Sequence, residues 1–305
     1  MNTNFYSHGK LLITGEYFVL EGSTAFAVPL KLGQSMTVSR NEDGKNELTW
    51  STSIKNKHYF RSVFDIKTLA LKFSTDLKLA SHIQTLLKNI KLESDVLNES
   101  EYSIEINTNL EFPFEWGLGS SSSLISNLAY WANINPYKLL FDTSKGSGYD
   151  IACARSESPI LYELLGKPVA KEVSFSPNFI DKIYFVYLGK KQNSLLSVDK
   201  HWNKIKGNLI DAQRITEISN AIIDSSSLEE FEEYVIEHES IISRALKLPT
   251  VKSQQFPDFK GTVKSLGAWG GDFVMVTHNG NSNDVVEYFN NKGLNIMFPY
   301  KDLVL

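Results

Sequence analysis

Two glycines and a run of hydroxyls stand together at Gly117-Leu118-Gly119-Ser120-Ser121-Ser122-Ser123. Glycine lets backbone N–H groups come close to a ligand because no Cβ stands in the way. A hydroxyl-rich helix start adds unpaired N–H groups and the positive end of the helix dipole, and both attract anions. The physical reading is a cradle for phosphate. No Gly-Lys-Ser/Thr follows, so this is not a Walker A loop. The competing reading is a serine-capped turn that binds nothing, and the loop by itself does not choose between them.

The elements that would hold such a loop are legible on either side of it. Tyr102, Ile104, Ile106, Thr108 and Leu110 alternate with polar residues, the period of a half-buried strand running toward Pro113. Leu124, Ile125, Leu128 and Trp131 fall at helical spacing behind the serines. Upstream, the apolar runs Leu11 to Leu20 and Thr24 to Leu30, followed by Ser35 to Ser39 and Asn46 to Ser51, predict a β-rich opening layer. A helix from Asp76, with Leu79, Ile83, Leu86, Leu87 and Ile90 on one stripe, predicts a cover for that layer.

Downstream, Pro159 to Leu165 reads as a strand, and the composition shifts through Pro168 and Pro177 before the apolar Ile183 to Leu188. A domain boundary is expected near residue 172, giving domains 1–172 and 173–305. Trp202 to Ile222 predicts one long helix that tolerates Gly207. Ser227 with Glu230 forms a capping-box pattern for a second helix ending near Leu248-Pro249. Val263 to Leu266, Phe273 to Thr277 and Ile296 to Phe298 predict strands, with a short helix over Val285 to Asn290. The fold class is α+β.

Composition narrows the function classes. Of 305 residues, 42% are hydrophobic and 22% charged, which is ordinary globular usage and excludes disorder for most of the chain. Lys+Arg 31 against Asp+Glu 35 leaves a net charge of -4, without the basic footprint of a nucleic-acid binder. Cys153 is the only cysteine, so neither an intramolecular disulfide nor a cysteine-based zinc site can form. With no apolar stretch approaching the roughly 18 residues of a membrane span and no secretory signal, a cytoplasmic protein with no membrane partner is expected.

Three further segments accompany the loop: Gly9-Lys10-Leu11-Leu12-Ile13-Thr14-Gly15-Glu16-Tyr17-Phe18-Val19-Leu20-Glu21-Gly22, Gly146-Ser147-Gly148-Tyr149-Asp150-Ile151-Ala152, and Lys264-Ser265-Leu266-Gly267-Ala268-Trp269-Gly270-Gly271-Asp272. In this order the set resembles the GHMP kinases, the superfamily of galactokinase, homoserine kinase, mevalonate kinase and phosphomevalonate kinase. The motifs are most similar to those of phosphomevalonate and mevalonate kinases. The resemblance implies a two-domain fold with a ribosomal-protein-like first domain, containing a left-handed crossover, and a ferredoxin-like second domain. It implies ATP and Mg²⁺ as cofactors and a small acidic metabolite as phosphoryl acceptor.

Roles follow residue by residue from that resemblance and from the needs of phosphoryl transfer. Asp150 would be the general base, and Lys10 would stabilise charge on the acceptor oxygen or the transferred group. Pro113, Gly117, Leu118, Gly119, Ser120, Ser121 and Ser122 would bind the nucleotide, with Ser121 reaching the metal. Ser194, Lys191, Gly267, Gly270 and Gly271 would line the acceptor side, Glu16 would serve either the fold or the acceptor pocket, and Lys190, Arg155 and His201 are further cations for an acidic substrate. Mevalonate kinases carry a metal-holding glutamate on the helix after the phosphate loop; here Asp142 is the only carboxylate between Ser123 and Gly146. Trp269 replaces an expected glycine, and it must either narrow the pocket or pack against the loop. A kinase of another alcohol, such as a sugar or an amino-acid-like compound, and a non-catalytic nucleotide-binding protein are the alternatives. Oligomeric state is not encoded in any heptad or exposed apolar helix.

Overall fold

The structure is a computed structural model, and it describes residues 2–98, 102–190 and 194–305, with side chains of 194–199 excluded. It is a mixed α+β chain that packs as two units. One comprises Met1–Gly9, Leu32–Phe114 and Gly119–Arg155; the other comprises Lys10–Lys31, Glu115–Leu118 and Ser156–Leu305. These packing units differ from sequence-contiguous halves meeting near 172. The reason lies in two long strands, β1 (Asn2–Thr14) and β2 (Ala25–Asn41), whose residues are divided between the units.

In the first unit, β2 is followed by β3 (Glu47–Ile54), β4 (Lys57–Asp65), β5 (Leu71–Ser74), α1 (Leu77–Glu93) and β6 (Ser103–Leu110). The strand order is β5-β4-β3-β6-β2, with β3 parallel to β6 and the other neighbours antiparallel. Asp76 starts α1 by accepting from the N–H groups of Lys78 and Leu79, as its position before the apolar stripe requires. The stripe of α1 packs with Trp50, Phe60 and Phe64 of the sheet and with Ile125, Leu128 and Ala129 of α2 (Ser120–Ala132) in one buried cluster. Two short helices complete the unit, α3 (Pro136–Thr143) and α4 (Tyr149–Cys153).

The second unit carries the antiparallel hairpin β7 (Ile160–Leu165) and β8 (Lys167–Glu172), joined to the start of β2 through Ala25–Ala27. Then come β9 (Ile183–Tyr187), α5 (Ser194–Ile205), α6 (Leu209–Ala221), α7 (Leu228–Leu246), α8 (Val251–Gln255), β10 (Val263–Leu266), β11 (Phe273–Thr277), α9 (Ser282–Asn291), β12 (Met297–Pro299) and α10 (Tyr300–Leu303). The sheet order β10-β11-β9-β12, antiparallel throughout, is that of a ferredoxin-like fold. Ser227 caps α7 by accepting from Glu230 N–H, while the Glu230 carboxylate accepts from Ser226.

The expected long helix over Trp202 to Ile222 is two helices. Gly207 takes a left-handed φ of 79°, which ends α5, and the Asn208 side chain accepts from Asp211 N–H to start α6. The expected strand over Leu11 to Leu20 also stops early: β1 ends at Thr14, and Phe18–Glu21 is a one-turn 3-10 helix. Among the described residues no helix is long and apolar enough to cross a membrane.

Candidate functional site

The glycine–serine segment is divided between the two packing units. In the second unit, Gly117 has a φ of 65° and lies against Asp272: a Cβ at 117 would stand 1.9 Å from Asp272 Oδ2. A Cβ there would force the Asp272 carboxylate to move, and the left-handed φ is one that side-chain-bearing residues rarely adopt, so both favour glycine. The carbonyl of the buried Leu118 accepts from Lys10 N–H at 2.9 Å, and Lys10 Nζ donates to the Gly117 carbonyl at 3.2 Å. The lysine of the first motif and the start of the second are therefore brought together.

In the first unit, Gly119 (φ 95°) stands at the N-cap of α2 without a side-chain cap. Ser120 is half-buried and Ser121 exposed, whereas Ser122 and Ser123 turn inward. Ser122 Oγ donates to the Gly119 carbonyl, and Ser123 Oγ donates to Gln34 Oε1 at 2.9 Å. The four serines thus divide their work: the inner pair anchors the helix start, while Ser121 is exposed and Ser120 half-exposed beside its first N–H groups. Pro113 is half-buried, just ahead of the one-turn helix Phe114–Trp116.

Asp150 lies in the first turn of α4, behind Gly148, which itself takes a left-handed φ of 86° at the N-cap. It is half-buried, and Oδ1 accepts from Ile151 N–H at 3.0 Å. The Tyr137 phenol is pushed up to about 12 by burial first, then by Cys153 and Asp150. Asp142, the other carboxylate of this stretch, is paired with Lys138 at 2.7 Å on the exposed face of α3. Arg155 Nη2 donates to the Ser126 carbonyl at 2.7 Å, and its guanidinium lies 4.5 Å from the centroid of the Tyr130 ring. Among the described residues no group of three His, Cys, Asp or Glu side chains is placed to hold a metal ion.

In the second unit the third motif forms the loop 264–272. Gly267 and Gly270 take left-handed φ values of 71° and 75°, and Gly271 is buried, with Leu266 and Ala268 carbonyls where a Cβ would stand. Trp269 packs against the cluster of Tyr17, Phe18 and Ile242; its backbone N–H donates to Tyr17 Oη at 2.7 Å and its indole to the Pro249 carbonyl at 3.2 Å. Of the two options for this side chain, packing against the core is the one realised. His201 is 4% exposed, edge-on to Tyr17 at 6.0 Å between ring centroids. Burial first, then Lys204 and Lys200, holds its imidazole below the usual histidine range. Lys190 is exposed. Lys191 and the side chain of Ser194 lie outside the described residues, while the backbone of Ser194 opens α5.

Glu16 is not open to a pocket. It is 4% exposed and bonded through Oε1 to Lys264 Nζ at 2.6 Å, Lys264 being fully buried. Sequence reasoning missed the rest of this cluster: His238, whose Nε2 accepts from Gly15 N–H at 3.0 Å, and Glu239, 3.7 Å from Lys264 Nζ. The signal was available, since Phe231, Val235, Glu239, Ile242 and Leu246 share the buried stripe of α7. Burial raises the carboxyl of Glu16 against the opposing effect of Lys264. Burial pushes Glu239 up to about 7, with Lys264 opposing and Glu16 adding to the rise. Burial, then Lys264, holds His238 well below the usual range, so the ring is neutral.

No protein-family model and no curated protein matches the sequence. Solved structures do match. Phosphomevalonate kinase from Streptococcus pneumoniae, in complex with phosphomevalonate and AMPPNP, superposes with a TM-score of 0.70 at 18% identity, over 97% of this chain and 99% of that one. Methanococcus jannaschii mevalonate kinase gives 0.69 at 16% identity, over 98% of this chain and 97% of that one. Lactococcus lactis galactokinase complexed with galactose gives 0.62 at 13% identity, over 97% and 92%. All three are GHMP kinases, and the fold implied by the sequence motifs is the fold observed.

Proposed function

We propose that the protein is an ATP-dependent small-molecule kinase that phosphorylates a small acidic metabolite, with mevalonate 5-phosphate as the first acceptor to test and mevalonate as the second. The observation that carries this reading is the close approach at Gly117, where the Lys10 ammonium bonds the backbone carbonyl and the Asp272 carboxylate lies where a Cβ would stand. It is supported by the whole-chain likeness to a phosphomevalonate kinase solved with phosphomevalonate and AMPPNP.

The residues fit a nucleotide. Backbone N–H groups at the start of α2, beside the half-exposed Ser120 and the exposed Ser121, would hold phosphate oxygens without a lysine-bearing loop. Mg²⁺ would be held by the Ser121 hydroxyl and would neutralise charge on the phosphates. Asp150 would accept the proton of the acceptor hydroxyl, as its half-buried carboxylate allows. Lys10, already fixed by its backbone bond to Leu118, would stabilise charge on the attacking oxygen. Lys190 would meet the acceptor's anionic group. A cytoplasmic location accords with this chemistry.

Incubation of the purified protein with Mg-ATP and a panel of alcohols and phosphomonoesters tests the reading. Acceptor-dependent ADP formation supports it, and its absence with every member of the panel refutes it. Turnover of a sugar or an amino-acid-like alcohol, but of neither mevalonate compound, would keep the kinase and remove the acceptor.

A further inference from the structure

We propose that Glu239 is a positioning residue for the glycine loop 264–272, acting through Lys264 on Glu16. None of the sequence motifs contains it. It sits in the middle of α7 on the stripe that faces the interior, 3% exposed, and its ion-pair contact among the described residues is with Lys264. A charge on a carboxylate buried to this degree is costly, so either a proton or a nearby cation must accompany it. Lys264 Nζ is that cation, but at 3.7 Å it is drawn away to Glu16 at 2.6 Å.

The contacts of Lys264 reach the loop at several places. Its Nζ also donates to the Ser265 carbonyl at 2.9 Å, and Ser265 Oγ accepts from Gly270 N–H at 3.1 Å. Tyr17, the residue after Glu16, takes the N–H of Trp269. Where Lys264 sits between its two carboxylates therefore fixes the last stretch of the first motif against the loop.

Two carboxylates and one ammonium share this space with a neutral imidazole. With a proton on Glu239 the set is neutral and Lys264 belongs to Glu16. Without it the set carries one net negative charge, and Lys264 is shared between Glu16 and Glu239, which lengthens the Glu16 bond and releases the loop. The charged groups facing Glu239 are Lys264 from β10 and Glu16 from the segment after β1, with His238 its neighbour on α7. Among the described residues α5 and α6, which also pack on α7, present none to it. The titration of Glu239 near 7 places this change at neutral pH.

The importance of the loop to catalysis rests on the kinase reading, but the test needs no turnover. The full chain is labelled with 5-fluorotryptophan, the Trp269 signal is assigned with Trp269→Phe, and fluorine spectra are recorded from about pH 5.5 to about pH 8.5. The Trp269 signal should shift with a midpoint near 7, and Glu239→Gln should abolish that shift. A signal that stays constant in the wild type, or that titrates identically in Glu239→Gln, overturns the proposal. Should Glu239→Gln fail to fold, the carboxyl-carbon spectrum of ¹³C-glutamate-labelled wild type decides. One glutamate titrating together with Trp269 supports the proposal, and none doing so overturns it. Absence of kinase activity would refute the proposed function and leave this result standing.

Discussion

Replacing Lys264 by Met removes the one buried cation from beside two buried carboxylates. Met has a similar reach and no polar demand, so the loss is electrostatic more than steric. Lys264 is 0% exposed and Glu16 4%, joined at 2.6 Å. Breaking a pair buried to this degree costs about 3–5 kcal/mol, because the partner is left as an uncompensated charge. The cost must depend on pH, and its sign follows from the direction of the shifts. Glu16 and Glu239 are both raised in the folded state, and Lys264 lowers both. A carboxyl raised on folding holds its proton longer in the native state, so stability is greatest below its unfolded value and falls as pH rises through the folded one. Without Lys264 both folded values rise further, and the deficit against wild type opens as pH increases. Urea unfolding at about pH 8 should show the full loss of about 3–5 kcal/mol, shrinking by half or more near pH 5. A deficit below about 1 kcal/mol at the higher pH, or one that does not change with pH, would refute the buried-pair account.

Glu239→Gln should flatten the pH dependence of stability. A carboxyl raised from 4.5 to about 7 costs the wild type about 3 kcal/mol between those values, and Gln has no proton to lose, so equal slopes for the two proteins would count against the assignment. Gly117→Ala, with its Cβ 1.9 Å from Asp272 Oδ2, and Gly119→Val at the start of α2 should each weaken Mg-ATP binding sharply, and calorimetry on folded variants checks this. Asp150→Asn should lower kcat by about 10²- to 10⁴-fold with little change in ATP affinity, and Lys10→Met should likewise depress turnover; equal loss of binding and turnover in Asp150→Asn would mark a structural aspartate.

Local signals in the sequence were strong where one side chain or one period decides the structure. Asp76 as a cap, the Ser227–Glu230 pair, the alternation of Tyr102 to Leu110 and the glycines at 117 and 119 each carry their own geometry. Elements set by partners were harder to see. β8, Lys-Pro-Val-Ala-Lys-Glu, is largely exposed and exists by pairing with β7, so no apolar alternation marks it. Gly207 is tolerable in a helix by propensity, and only Asn208 turning to cap a new one made the break decisive. The motif leaves Glu16 between the fold and the acceptor pocket because a motif does not reveal burial; its partner, Lys264, is distant in sequence. Glu239 is a carboxylate on an apolar stripe whose meaning depends on Lys264, a residue distant in sequence that the fold sets beside it.

The most direct test is phosphorus NMR of the purified protein with Mg-ATP and mevalonate 5-phosphate, followed by the same experiment with mevalonate. Consumption of the γ-phosphate signal matched by a new phosphoryl group on the acceptor, abolished in Asp150→Asn, is the predicted result. Intact ATP in the presence of both acceptors, together with no detectable Mg-ATP binding by calorimetry, would contradict the assignment of the Gly117–Ser121 loop and with it the kinase.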